Sequence, residues 1–418
     1  HQIFYMSVTF WFNVLFFLVI FNYAFSSILE YINDKSWKDD IPETLKNFYS
    51  KEKYKKAKNY KIHTSKVSLI SSTLSFVITI IILSTGIYGF VSDKLLSVSN
   101  SIFIQSGIFF FIFYLINLSI SIPIQYYSTF VIEEKYGFNK SSKQLFFTDQ
   151  IKRFLMTILI GSILLYCATY VYSIIKEGFW IFLWIGLSLF LVFLNSFYAS
   201  LIVPIFNKLT PIDDGSLKTK IQDYSKKIGY SLKNIFIIDG SKRSSKANAF
   251  FSGLGPKKTI ALYDTLIENH TDEELVAVLA HEVGHYKKNH ISRGLFLSVL
   301  QIGLISYLFE LCTNQVEISN ALGGEFKTFH LGLIGFSLLY SPISILTGVL
   351  MNMLSRKNEF EADNYAKSTY NGEYLSMALK KLSADNLSNL YPHPLYVFIH
   401  YSHPPLIKRL EALSKDKN

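Results

Sequence analysis

One stretch of the chain combines residue type and spacing into a specific chemistry. In Thr271–His290, TDEELVAVLAHEVGHYKKNH, His281 and His285 stand four residues apart. On a helix, residues at i and i+4 share a face one turn apart, so the two imidazoles can converge on one zinc ion. Glu282 lies between them and is not needed as a ligand. Its carboxylate can take a proton from zinc-bound water, whose pKa the metal lowers to about 7, and pass it to a leaving amine. That is the chemistry of peptide hydrolysis. The H-E-x-x-H pattern also arises by chance, and a working site needs a third protein ligand from elsewhere in the chain.

The elements that would position these residues are legible nearby. Thr271 followed three residues on by Glu274 is a capping box, which starts a helix at about Thr271, and Leu275, Val276, Val278 and Leu279 give it an apolar side. Before it come three short β-rich runs, Asn234–Asp239 (NIFIID), Ala247–Gly253 (ANAFFSG) and Lys258–Tyr263 (KTIALY), bounded by Gly and Pro. They predict a small sheet. Its exposed edge could take up an extended peptide through main-chain hydrogen bonds, or the sheet could simply pack on the helix.

The rest of the chain is not that of a soluble enzyme. Its 418 residues are 50% hydrophobic and 16% aromatic, with a mean hydropathy of +0.26. The apolar residues fall in blocks at about Ile3–Phe25, Val67–Val91, Ile102–Ile124, Phe154–Ile175, Phe179–Val203, Gly294–Leu311 and Phe329–Leu354. Each is long enough, or nearly so, to cross a hydrocarbon core of roughly 30 Å. Seven membrane spans are predicted. Residues 1–203 then hold five spans with basic loops, 204–293 the zinc-protease region, 294–354 two further spans, and 355–418 a polar tail.

The net charge of +10 is concentrated in segments 26–66, 125–153, 204–293 and the tail, whereas Ser92–Ser101, Lys176–Gly178 and Cys312–Thr328 hold few basic residues. Such asymmetry orients a multi-pass protein with its basic side in the cytoplasm, and places the metal motif there. It also accounts for the basic charge without nucleic acid as a partner. Cys167 and Cys312 both sit in apolar stretches, so neither a disulfide framework nor a cysteine metal site is indicated. Polar residues inside blocks, Asn117, Asn195, Gln301 and Asn352, are expected to line a wet interior, because facing lipid would leave their amides unsatisfied.

The third ligand has a natural source immediately after the last block. Leu354–Thr369, LSRKNEFEADNYAKST, reads as a helix on which Glu359 and Asp363 share a face while Glu361 points elsewhere. A Glu from a second helix would complete the set and leave zinc's fourth position for water. Asp363, one turn on, could accept the free N–H of a ligating histidine.

HEVGH, NEFEADNYA at 358–366 and FVIEEKYGFNK at Phe130–Lys140 together resemble the type I CaaX prenyl protease family, integral-membrane zinc endopeptidases of the gluzincin group. PIFNKLTP (Pro204–Pro211), KANAFFSG (Lys246–Gly253) and HYSHPPLIKRL (His400–Leu410) match the same family in the same order. The resemblance implies an all-α polytopic fold of seven membrane helices around a water-filled chamber, with a small α+β protease domain on the cytoplasmic side. It implies one zinc per chain on His281, His285 and Glu359, Glu282 as catalytic base and Asp363 behind the ligands. His403 and Arg409 would stabilise the oxyanion or hold the substrate, and Asn248 would bind substrate backbone on the edge strand. His290, His393 and His400 receive no role. The implied substrate is a peptide, C-terminally prenylated or otherwise membrane-associated, cut at the bilayer; which membrane is left open. The alternatives are an HtpX-like quality-control protease, which has fewer spans, and a seven-span transporter or receptor with an incidental H-E-x-x-H, which should show half-to-half similarity that this chain lacks.

Overall fold

The computed structural model describes residues 7–175, 177–229, 234–252 and 259–415. Residues 3–6 of the first apolar block, Lys176, Gly253 and Lys258 at the ends of two strand segments, and the last three residues of the tail lie outside the described residues.

Long apolar stretches nearly free of charge run through long helices, and five of them open the chain: α1 (Val8–Lys35), α2 (Lys51–Thr85), α3 (Ile102–Tyr136), α4 (Lys143–Ile174) and α5 (Phe179–Phe206). After α6 (Asp272–Lys287), which carries the metal motif, comes a sixth long apolar helix, α7 (His290–Thr313). The last apolar block is not one straight helix. It forms α8 (Phe329–Leu339) and α9 (Ser341–Thr369), bent by 55° and together long enough for a seventh span. Pro342 in the first turn of α9 explains the break, since it has no N–H to give the preceding turn and its ring would clash there. α9 then runs on past the span, so Glu359 and Asp363 lie on a continuation of the membrane helix and not on a separate one.

The Lys-rich segment departs from the expectation of a loop. Lys51 onward is the first part of α2, whose 35 residues exceed the roughly 20 needed to cross a bilayer. Ser50 caps it, accepting from Lys53 N at 3.0 Å. Its lysines face outward while Tyr54 and Ala57 bury against Tyr136, Phe138, Leu387 and Leu410. α2 thereby ties the Phe130–Lys140 segment to the tail.

Two polar features hold the spans. The Glu310 carboxylate near the end of α7 accepts from Gly178 N at 2.9 Å and Trp180 N at 2.8 Å, satisfying amides that the start of α5 leaves without helical partners. Gln301 donates to Thr347 Oγ1 at 3.2 Å, and Asn352 donates to Ile399 O at 2.8 Å, so these two amides are satisfied by protein. Asn117 is exposed, and Asn195 Oδ1 is buried without a partner among the described residues.

All three predicted strands form. With β1 (Leu209–Pro211), β2 (Ile235–Ile238), β3 (Ala249–Ser252) and β4 (Thr259–Tyr263), the sheet has the order β1-β2-β4-β3. β2 and β4 run parallel with Ile235 opposite Ile260, and both edge strands run antiparallel to their neighbours. β1 was not read from the sequence: three residues with a proline fall below any periodicity. One face of the sheet packs Ile235, Ile260 and Leu262 against Leu275, Val276 and Leu279 of α6, with Ala366 of α9 and Leu375 in the same core. This core sets α6 and α9 side by side.

Candidate metal centre

α6 begins as its sequence dictates. Glu274 N donates to Thr271 Oγ1 at 3.3 Å, Thr271 N donates to Glu274 Oε2 at 3.0 Å, and Lys381 Nζ adds a third bond at 2.8 Å. Leu275, Val276 and Leu279 are fully buried, and Val278 partly so. The other side of α6 faces α9.

The closeness of α9 depends on a missing side chain. A Cβ at Gly284 would stand 3.1 Å from Ala362 Cα, 3.1 Å from Tyr365 Cβ and 3.2 Å from Ala362 O, which is tighter than ordinary packing against backbone. Gly284→Ala should therefore push the two helices apart by a few tenths of an ångström. The gain in helix propensity, about 0.8–1 kcal/mol, offsets the packing loss. Unfolding stability is expected to stay nearly unchanged while zinc affinity drops severalfold; equal affinity in a zinc titration would show that this approach does not tune the site.

Across the α6–α9 contact, His281, His285 and Glu359 present ligand atoms that all lie within 4.8 Å of one another. His281 Nε2 is 3.1 Å from His285 Nε2, His285 Nε2 is 3.1 Å from Glu359 Oε1, and His281 Nε2 is 3.5 Å from Glu359 Oε2. Bonds of 2.0–2.1 Å in a tetrahedron put ligand atoms roughly 3.3 Å apart, so these edges fit a zinc-sized ion. Glu359 Oε2 is buried and makes no hydrogen bond among the described residues. Two imidazole nitrogens and both oxygens of one carboxylate converging this closely call for a cation between them.

The protons are arranged to match. His281 Nδ1 lies 2.8 Å from Asp363 Oδ1, a carboxylate that can only accept, so the proton of a neutral ring belongs on Nδ1, which leaves Nε2 for a metal. Asp363 is in turn gripped by Arg409, whose Nε and Nη2 donate to it at 2.8 and 2.6 Å. Arg409 Nη1 stands 3.4 Å from Glu359 Oε2. The guanidinium is thus buried beside His281 and Glu359, where only paired carboxylates make it tolerable. His403 is different: 65% of its side chain is exposed, and Nε2 is 3.4 Å from Glu359 Oε1. Asn352 and Arg356, four apart on α9, fix the tail that carries it by donating to Ile399 O, Val397 O and Tyr401 O, carbonyls at or beside the end of the short Pro394–His400 helix.

Glu282 is enclosed by protein on most sides yet reached by solvent. Burial pushes its carboxyl above the usual range, with the His281 and His285 imidazoles pulling the other way. A dication beside it would pull further in that direction. Asn248 is exposed just before β3, and its Oδ1 accepts from Ala249 N at 2.9 Å. No hydrogen bond among the described residues joins it to the His281–His285–Glu359 group. The segment leading to it is clamped: Asn386 bonds both Ala247 N and Ala247 O at 3.3 Å, and Lys246 Nζ reaches Tyr60 and Glu133 at 2.6 and 3.1 Å. The EEKYGFN and KANAFFSG segments therefore meet.

Comparison with known proteins agrees with this architecture. The model of the CAAX prenyl protease N-terminal region, five membrane helices, matches residues 30–208, and that of peptidase family M48 matches 211–417. A protein of Saccharomyces cerevisiae named CAAX prenyl protease 1 is 33% identical over 422 residues, covering 94% of this chain and 93% of the relative. This chain belongs to the CAAX prenyl protease 1 family. A homologue from Arabidopsis thaliana is 32% identical with 98% of both chains covered, and the human homologue is 34% identical over 75% of this chain and 74% of its own. The crystal structure of S. mikatae Ste24p superposes with a TM-score of 0.91 at 31% identity, covering 97% of this chain and 99% of that one. As a CAAX prenyl protease 1 family member the chain is a multi-pass membrane metalloendopeptidase. The transporter and receptor reading is thereby set aside.

Spacing alone did not reach two groups that touch the site. His290 contacts His285, and Glu361 contacts His290, although the sequence assigned the first nothing and turned the second away. The signal was Asn289, whose φ of 58° ends α6 and folds the chain back so that position i+5 returns to the ring at i. His393 and His400 have local duties: His393 caps the Pro394–His400 helix by accepting from Leu395 N at 3.2 Å, and the His400 ring packs tilted against Tyr396 at 4.7 Å.

Proposed function

We propose that the chain is a zinc endopeptidase that trims peptides bearing a prenylated or otherwise membrane-held C-terminus, using His281, His285 and Glu359 as metal ligands and Glu282 as general base. The observation that carries this reading is the convergence of the two imidazole Nε2 atoms and the Glu359 carboxylate, whose Oε2 makes no hydrogen bond among the described residues, beside a further carboxylate on α6. Two histidines with one glutamate form a catalytic zinc ligand set, with one position left for water or substrate. Zinc held there would polarise the scissile carbonyl and acidify a water molecule.

The protein's own groups do the rest. Glu282 accepts the proton of the attacking water and delivers it to the leaving amine nitrogen. His403, exposed beside Glu359, donates to the carbonyl oxygen as negative charge grows on it. Arg409 holds Asp363, and Asp363 holds His281. The outer edge of β3, which pairs with no further strand among the described residues, offers main-chain groups to an extended substrate, with Asn248 beside it. The six single spans bury only 6–22% of their most apolar stretches, an exposure that surrounding lipid and an enclosed aqueous chamber would share. The basic residues of α2 and the tail favour a cytoplasmic site. The same division makes 204–293 and 355–418 the protease unit, held on the spans of 1–203 and 294–354.

The names of the relatives motivate the substrate class, and a paired digestion tests it. Purified protein is given a farnesylated CaaX peptide and its unlipidated twin, with and without a zinc chelator. Expected are chelator-sensitive cleavage restored by zinc and faster turnover of the farnesylated peptide. Cleavage that survives chelation would overturn the metal reading, and equal rates would remove recognition of the prenyl group.

A further inference from the structure

We propose that His290 and Glu361 form a hydrogen-bonded support that fixes the ring and tautomer of His285, so that both are positioning residues for the metal. This rests on the reading of His285 as a metal ligand.

The geometry is directional. His285 Nδ1 lies 3.0 Å from His290 Nδ1, and His290 Nε2 lies 3.0 Å from Glu361 Oε2. A carboxylate only accepts, so His290 Nε2 carries its proton and the neutral ring presents a bare Nδ1. That atom accepts from His285 Nδ1–H. The proton of His285 is thereby held on the side away from Glu359, and its Nε2 is left bare where the three ligand atoms converge. The His290 side chain is 3% exposed, and both ring nitrogens are satisfied by this one arrangement.

His281 and His285 thus reach the same end by different routes. His281 has a carboxylate directly behind it, since Asp363 is one turn from Glu359 on α9. Glu361 is two residues from Glu359 and so turned about 200° around the helix, too far to reach a ligand itself. His290 bridges that gap because Asn289 folds the start of α7 back against His285. Arg293 and Lys357 flank the half-exposed Glu361 at 4.0 and 3.9 Å, which keeps a negative charge at the end of the chain. Metal-bound histidines commonly need such a partner on the second nitrogen, and its loss typically weakens metal binding by about 10–100-fold.

The test measures zinc affinity by competition with a chromophoric chelator, together with the visible spectrum of the cobalt-substituted protein and thermal unfolding of the metal-free protein. His290→Ala is expected to weaken zinc binding by about 10–100-fold and alter the cobalt spectrum. His290→Asn, whose amide oxygen can stand where Nδ1 stands, should recover part of the loss. Glu361→Ala should weaken zinc in the same direction by less, without lowering metal-free stability in step. Wild-type affinity in His290→Ala overturns the proposal; if that variant does not fold, wild-type affinity in Glu361→Ala overturns it instead. His285→Ala is measured alongside. Should it lose zinc while His290→Ala does not, only the support role fails, whereas zinc retained without His285 means that the ligand assignment itself is wrong.

Discussion

Replacing Glu282 by Gln will leave zinc content and folding at their wild-type values and lower kcat by at least roughly 10²–10⁴-fold, or about 3–5.5 kcal/mol of barrier. An isosteric amide keeps the shape of this half-enclosed side chain. It is not one of the three converging ligands, so the metal has no reason to leave. Gln cannot take a proton from an attacking water, and that is the one capacity withdrawn. Burial makes the point sharper: an ionised Glu282 is already disfavoured by its enclosure, and the neutral amide relieves that, so metal-free stability should stay level or rise. Metal analysis and peptide turnover on the same preparation decide it. Turnover within tenfold of wild type would assign proton transfer to another group, and loss of zinc would make Glu282 part of the binding set.

Much of this arrangement is written locally in the chain. The capping box, the i,i+4 histidines and the i,i+4 acids are helix-periodic signals, and all survive into contacts because α6 and α9 are regular where those residues lie. What stayed hidden depends on breaks in regularity or on distant packing. Pro342 bends the last apolar block, and Asn289 returns His290 to the site; each is a single residue whose effect no periodicity records. The helical state of the lysine run depends on Tyr54 and Ala57 meeting residues some 80 and 330 positions further on, such as Tyr136 and Leu387. Arg409 is the instructive case. The family resemblance set it at the oxyanion or the substrate, and its burial beside Asp363 follows only from how the tail folds over α9.

That burial supplies the second large effect, Asp363→Ala. Asp363 is 1% exposed and accepts from His281 Nδ1, Arg409 Nε and Arg409 Nη2. Removing it leaves a buried guanidinium whose nearest remaining anion is Glu359, 3.4 Å from Nη1, and an imidazole N–H with no acceptor. Breaking one side of a buried ion pair costs about 3–5 kcal/mol, so the metal-free protein should unfold far more easily in detergent. Zinc affinity should also fall by about 10–100-fold, because nothing then holds the His281 tautomer. The two losses have different causes, and a second substitution separates them. Asp363→Ala combined with Arg409→Met removes the stranded charge and should recover most of the stability, yet zinc binding should remain weak because His281 still lacks its acceptor. Recovery of both together would mean that Asp363 acts on the metal only through Arg409, and wild-type zinc affinity in Asp363→Ala would remove it from the support of His281 altogether.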